Sequence, residues 1–173
     1  MSDPTLRPAT PADVPEVLRL IQGLAEYEKL LDQCVITPEQ LHEQLFGTRP
    51  AAEAWVAQDA PGKLIGFALF FTTFSTFLGK PGLHLEDLFV VPEARGRGVG
   101  RALMHRLARI AVERNYGRFE WNVLDWNAPA IRFYQQLGAT ILPDWRLCRL
   151  TGQELKRVDA LSSGAQNITK IRS

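Results

Sequence analysis

Cysteine is scarce in this 173-residue chain: Cys34 and Cys148 are far apart and in no motif. A disulfide scaffold and a zinc site are therefore not expected, and a reducing, cytoplasmic location is. The three histidines, His42, His84 and His105, stand at no ligand spacing, so no metal is expected. An excess of either charge is also lacking. Twenty Lys+Arg against 19 Asp+Glu leave a net charge of +1, too little to gather nucleic acid or coat an anionic membrane. Neither is expected as a partner, and any anion site has to be built locally. No apolar run reaches the ~18 residues of a membrane span. The opening Met1-Ser2-Asp3-Pro4-Thr5 lacks the basic and apolar regions of a signal peptide, so none is expected. Internal repeats and low-complexity stretches are absent.

What is present is ordinary globular composition, 46% hydrophobic and 23% charged, enough for one sizeable core. The expectation is a single domain over residues 1–162 and a flexible tail over 163–173. Residues 5–9 read as a short strand. Thr10-Pro11-Ala12-Asp13 is a helix start with Pro at the first position. Val14, Val17, Leu18, Ile21, Leu24 and Ala25 then recur at helical spacing to about Lys29. Thr37-Pro38-Glu39-Gln40 repeats the signal as a capping box, and Gly47 ends that second helix. Residues 54–57 and 64–73 form a hairpin around the turn Asp59-Ala60-Pro61-Gly62. A loop over 74–82 and a strand over 84–91 follow. The helix over 99–115 carries the stripe Leu103, Leu107, Ile110 and Ala111. A strand over 119–124, a helix over 128–137 and short strands over 140–142 and 146–150 complete the chain. This order predicts an α/β (α+β) fold with one mixed central sheet flanked by helices.

Leu88-Phe89-Val90-Val91-Pro92-Glu93-Ala94-Arg95-Gly96-Arg97-Gly98-Val99-Gly100-Arg101 is the most informative stretch. A strand enters a loop rich in glycine and arginine that opens a helix. Glycines let backbone N–H groups approach an anion, and the helix N-terminus adds unpaired N–H groups and partial positive charge. Arg95, Arg97 and Arg101 add charge-assisted donors, so the stretch is a candidate pyrophosphate cradle. Gly-x-Gly-x-x-Gly fails from Gly96, where Arg101 takes the third place, and from Gly98, where Leu103 does. The Walker ending fails because Arg101-Ala102 follows Gly100.

Arg95-x-x-Gly98-x-Gly100 resembles the acetyl-CoA signature of the GNAT superfamily. The text around it is similar to the spermidine/spermine (diamine) acetyltransferase branch: Leu85-Glu86-Asp87-Leu88-Phe89-Val90, Val123-Leu124-Asp125-Trp126-Asn127, Phe133-Tyr134-x-x-Leu137-Gly138-Ala139, Leu6-Arg7-Pro8-Ala9-Thr10 and Leu24-Ala25-Glu26-Tyr27-Glu28-Lys29. The likeness covers about residues 5–150. It implies the GNAT fold, a homodimer, acetyl-CoA as cosubstrate and a small-molecule amine as substrate.

An alkylamine, with a pKa of about 10.4 by analogy with Lys, must lose a proton, and the departing thiolate must gain one. The resemblance assigns the second task to Tyr134 as acid. It assigns the first to Glu86, acting through water; His84, two residues earlier on the strand and so able to share its face, is a weaker second base. Strand neighbours face opposite sides, so only one of Glu86 and Asp87 is expected in the cleft. The likeness further implies cofactor contacts from Leu88, Phe89, Val90, Arg95, Gly96, Arg97, Gly98, Val99, Gly100, Arg101, Asn127, Pro129 and Ala130. Backbone N–H groups over 88–90 would receive the thioester oxygen. Substrate contacts are implied for Tyr27, Glu28, Glu86, Phe77 and Trp121. Where polyamine-acetylating members carry an acidic residue and a tryptophan, this chain has Ser75 and Phe77. The sister branch, which resembles thialysine acetyltransferase, is the closer one. A polyamine acetyltransferase and a CoA-binding sensor without turnover are the alternatives.

Overall fold

The computed structural model describes residues 4–60 and 62–165. The chain divides into two compact units, one ending at Leu124 and the other starting at Asp125. The first contains β1 (Thr5–Pro8), α1 (Val14–Tyr27), α2 (Pro38–Phe46), β2 (Glu53–Ala60), β3 (Lys63–Ser75), β4 (Lys80–Val90), α3 (Val99–Glu113) and β5 (Phe119–Trp121). The second contains α4 (Ala128–Gln136) and α5 (Gly152–Ala165). The sheet runs β1-β2-β3-β4-β5, antiparallel through β4 and parallel between β4 and β5. This is the mixed α/β sheet expected from the sequence, with α3 as the crossover a parallel pair requires.

Packing explains which residues build it. A Cβ on Gly23 of α1 would lie 3.0 Å from the Phe89 ring, so glycine there lets β4 approach the helix. A Cβ on Gly66 would meet Val90 and Val99, at the start of α3. Phe89 and Val90 are successive strand residues, so α1 and α3 cover opposite faces of the sheet. The α1 stripe buries Val14, Val17 and Leu20, and the α3 stripe buries Leu103, Leu107, Ile110 and Ala111. The capping box of α2 forms as read: the Gln40 N–H donates to Thr37 Oγ1 at 3.2 Å, and the Thr37 N–H donates to Gln40 Oε1 at 2.9 Å.

The β3–β4 hairpin is longer than the sequence suggested. Its ladder runs to Ser75↔Lys80, so the expected loop over 74–82 shrinks to residues 76–79. The Leu78 N–H donates to Ser75 Oγ at 3.2 Å, and Gly79 takes a φ of +60°. Polar turn residues can be absorbed into a ladder once both flanking segments are paired, and no local pattern announces this.

In the second unit, α4 forms as expected and ends before Gly138, at φ +89°. The two strands expected over 140–142 and 146–150 are absent: these residues are irregular and exposed. A strand needs a neighbouring edge, and the apolar residues that suggested strands, Ile141, Leu142, Leu147 and Leu150, bury no face. Instead α5 forms and runs into the segment expected to be the tail. Residues 1–3, Pro61 of the expected hairpin turn and residues 166–173 of the expected tail lie outside the described residues.

One ion pair ties the start of α1 to the sheet. Arg7 donates from Nη1 and Nη2 to both oxygens of Asp13, at 2.7 and 2.8 Å, and from Nε to Gln58 Oε1 on β2 at 2.9 Å. The Thr10 N–H and hydroxyl also donate to Asp13 Oδ2, at 2.7 and 2.8 Å. Asp13 is 8% exposed. Its carboxyl is pulled down to about 2, first by the Arg7 bonds and against the effect of burial. A carboxyl lowered in the fold stabilises above its unfolded pKa and loses that contribution as pH falls through the folded value. Asp13→Asn is expected to destabilise the protein by about 2 kcal/mol at neutral pH. Urea unfolding should show that difference narrowing between about pH 4 and pH 2, and a constant difference would contradict the assignment.

Candidate active site

β4 has a partner along its whole length on one side only. Its ladder with β3 runs from Ser75↔Lys80 to Gly66↔Val90, whereas its ladder with β5 covers Leu83↔Phe119, His84↔Glu120 and Leu85↔Trp121 and then stops. Beyond β4, the Val91 N–H donates to Ile65 O on the β3 side at 3.0 Å. Main-chain groups alternate along a strand, so the Leu88 and Val90 N–H groups face the edge that β5 no longer covers. Residues 88–90 are those for which the resemblance implies donors to a thioester oxygen.

The loop after β4 turns through Pro92–Ala94 and then uses two glycines in the left-handed region, Gly96 at φ +75° and Gly98 at φ +81°. A side chain at either position would be strained. Gly98 is the N-cap of α3, and Val99 is buried behind it. Gly100 and Arg101 lie in the first helical turn, where N–H groups have no intrahelical acceptor. The three arginines are placed differently. Arg95 donates from Nε to Val90 O at 3.1 Å and stacks over the Tyr27 and Phe89 rings, 4.9 and 5.7 Å from their centroids. Arg97 forks onto Asp59 of β2. Arg101 stands exposed on α3.

Glu86 is where strict alternation fails. The register passes from Phe70↔Leu85 to Leu69↔Asp87, leaving Glu86 as an extra residue opposite no partner. Such a bulge re-aims side chains, so the expectation that only one of Glu86 and Asp87 could face the cleft does not follow here. Glu86 is exposed. The half-buried Asp87 is pushed up to about 7, by burial first, then by Glu86, then by Glu28 of the residue pair following α1. Burial also raises Glu28. Three carboxyl groups of the first unit are thus electrostatically linked, and Asp87 is the member that sequence reading passed over. The signal for it was the acidic pair itself: two adjacent charges inside an apolar strand fit a regular pleat poorly. His84 lies before the bulge, and its ring packs on Phe71 at 4.9 Å.

The other expected substrate residues are dispersed. Tyr27 ends α1 beneath Arg95, and Trp121 ends β5 against Phe119, 4.8 Å between ring centroids. Phe77 is 96% exposed at the tip of the β3–β4 turn. Ser75 is buried and bonded within that turn, and Lys80 donates from Nζ to Asn115 Oδ1 at 3.0 Å. In the second unit, Asn127 Oδ1 accepts from the Ala130 N–H at 3.3 Å, the helix cap its position allowed, and Pro129 follows in the first turn. Tyr134 is 8% exposed, its ring 5.3 Å from that of Phe133. Among the described residues, no group of three or more His, Cys, Asp or Glu could hold a metal ion, and no helix is long and apolar enough to cross a membrane.

A mixed sheet whose fourth strand opens at one edge and leads into a glycine-turned helix start is an α/β class in which a helix N-terminus is available to an anionic ligand. The particular family follows from comparison: residues 21–139 match the Acetyltransferase (GNAT) family, and the chain belongs to it. It is an N-acetyltransferase. It is 35% identical to L-ornithine N5-acetyltransferase NATA1 of Arabidopsis thaliana, over 91% of this chain and 88% of that protein. It is 35% identical to thialysine N-epsilon-acetyltransferase of Sus scrofa, over 91% of this chain and 98% of that one. Human spermidine/spermine N(1)-acetyltransferase-like protein 1 is also 35% identical, but the match spans only 23% of its length. Among solved structures, an integron cassette protein of V. cholerae superposes with a TM-score of 0.77 at 24% identity, covering 92% of this chain and 99% of that one. That likeness shows the fold alone.

The carboxyl linkage can be tested directly. In Glu86→Gln the Asp87 midpoint, followed by carboxyl carbon NMR, should fall below about 7 yet stay above the ordinary 3.8, because burial is the larger cause. An unchanged midpoint would show that the two carboxyls do not sense each other.

Proposed function

We propose that this chain transfers the acetyl group of acetyl-CoA to the primary amine of a small molecule of the lysine-analogue or short-diamine kind, such as thialysine. The observation that carries the reading is β4 itself. One strand joins the carboxyl group pair Glu86–Asp87, the open-edge N–H groups of Leu88 and Val90, and the loop over 95–101. Curated relatives that act on thialysine and ornithine, similar over most of both chains, support the substrate class.

The residues present fit acetyl-CoA. Left-handed glycines and the first turn of α3 suit its pyrophosphate, with Gly96, Arg97, Gly98, Val99, Gly100 and Arg101 as the holding segment. The open-edge N–H groups suit its thioester oxygen. Asn127, Pro129 and Ala130, at the start of α4, are proposed to meet its pantetheine arm. Bound there, acetyl-CoA supplies an activated acyl group and a thiolate leaving group. The substrate ammonium is held by Glu28 and Asp87. Glu86, exposed to water, takes the amine proton through a water molecule. Tyr134 gives the proton of its phenolic oxygen to the departing sulfur. We further read the protein as a homodimer of the cytoplasm. The homodimer rests on the resemblance, and the cytoplasm on two unbridged cysteines, Cys34 and Cys148.

Three residues near the β3–β4 turn bear on substrate length. Ser75 and Lys80 are engaged within the first unit, and Phe77 carries no charge. A long polyamine finds no carboxylate there, and an ammonium without a carboxylate is poorly held when desolvated. An amine panel with acetyl-CoA, reading released thiol, should give a higher kcat/KM for thialysine, ornithine or putrescine than for spermine. A strong preference for spermine would move the protein to the polyamine branch.

In Tyr134→Phe the ring packing is kept and the hydroxyl is lost. Turnover should fall roughly 10²–10⁴-fold, the span of a general acid, with acetyl-CoA affinity little changed. Near-normal turnover with chemistry rate-limiting would return Tyr134 to a packing role.

A further inference from the structure

Arg97 sits between two left-handed glycines at the tip of the phosphate loop, yet it faces a carboxylate of its own chain. Nη2 donates to Asp59 Oδ1 at 2.9 Å, and Nη1 donates to Oδ2 at 3.2 Å. Asp59 is near the end of β2, next to the β2–β3 turn, and 38 residues away in sequence. Both side chains are about 70% shielded from solvent, with 27% and 30% exposed. The fork uses both terminal nitrogens of the guanidinium, the geometry that phosphate oxygens also use. Arg95, meanwhile, is bonded to Val90 O and stacked on Tyr27.

We propose that Asp59 is a built-in competitor for the phosphates of CoA, occupying Arg97 until the cosubstrate displaces it and so holding CoA affinity below what the loop alone would provide. The inference rests on the reading of residues 95–101 as the phosphate site. Two effects point the same way. Asp59 takes the nitrogens that a phosphate would take, and its negative charge repels the phosphates within a Debye length. A partly exposed pair is a weak one, so a multiply charged ligand can displace it. The consequence falls on release: a carboxylate ready to recapture Arg97 favours departure of the product CoA, and product release is the slow step of many enzymes.

The test is CoA binding by calorimetry, with dissociation followed by stopped flow, on the unmodified protein, Asp59→Asn, Asp59→Ser, Arg97→Ala, Arg101→Ala and the double variant Asp59→Asn with Arg97→Ala. Thermal melting checks that each is folded. Asp59→Asn and Asp59→Ser should bind CoA roughly three- to tenfold tighter and release it correspondingly more slowly, as expected for removing one nearby like charge. The gain should shrink in the Arg97→Ala background and at high salt. Unchanged or weaker binding in both folded Asp59 variants would overturn the proposal, and weaker binding would make Asp59 a residue that merely orients Arg97. If the unmodified protein fails to bind CoA, or if Arg97→Ala and Arg101→Ala both bind it normally, the reading of the loop itself falls and takes this proposal with it.

Discussion

The one-sided pairing of β4 is the constraint on which the site depends. A strand in the middle of a sheet normally satisfies its main chain on both edges. Here β5 pairs with Leu83, His84 and Leu85 and then leaves, while β3 continues to Val90. The remaining edge of β4 therefore holds main-chain donors in fixed positions without a ladder partner. The strand cannot collapse, because Phe89 is packed at Gly23 of α1 and Val90 lies by Gly66 and Val99. Rigidity comes from the two covered faces, and chemical availability from the missing neighbour.

Charge is organised by the same economy of position. The chain is nearly neutral overall, so its fields are local. Arg7 and Asp13 fasten the first helix to the sheet. Arg114 of the residue following α3 is held by Glu53 at the start of β2. Against this background of matched pairs, Glu28, Glu86 and Asp87 are a group of like charges, and burial raises the most enclosed of them. Like charges are gathered at a cost to folding, and an ammonium substrate would relieve it.

Much of this was legible in the sequence, for identifiable reasons. α1 and α3 announce themselves because each turns an apolar stripe towards the sheet, buried in the first two turns of α1 and along most of α3, which imposes a 3.6-residue period. The capping box at Thr37 and Gln40 is local chemistry within four residues. The loop over 95–101 is legible because left-handed backbone all but demands glycine, and Gly96 and Gly98 both take that conformation. The strands expected over 140–142 and 146–150 were not correctly read, since strand formation depends on a neighbouring edge that lies elsewhere in the chain. The bulge at Glu86 escaped for the same reason: a register shift is a relation between β3 and β4, not a property of either.

The periodic helices and the glycine turns at 96 and 98 are written in the order of residues, because they follow from interactions spanning a few neighbours, and so are the residue types available for acid–base chemistry. That β5 leaves β4 after Leu85, that Asp87 feels the charges of Glu28 and Glu86, and that Arg97 rests on Asp59 emerge on folding alone. Those facts depend on contacts between segments far apart in the chain, where burial and charge act through space and sequence spacing carries no record of them.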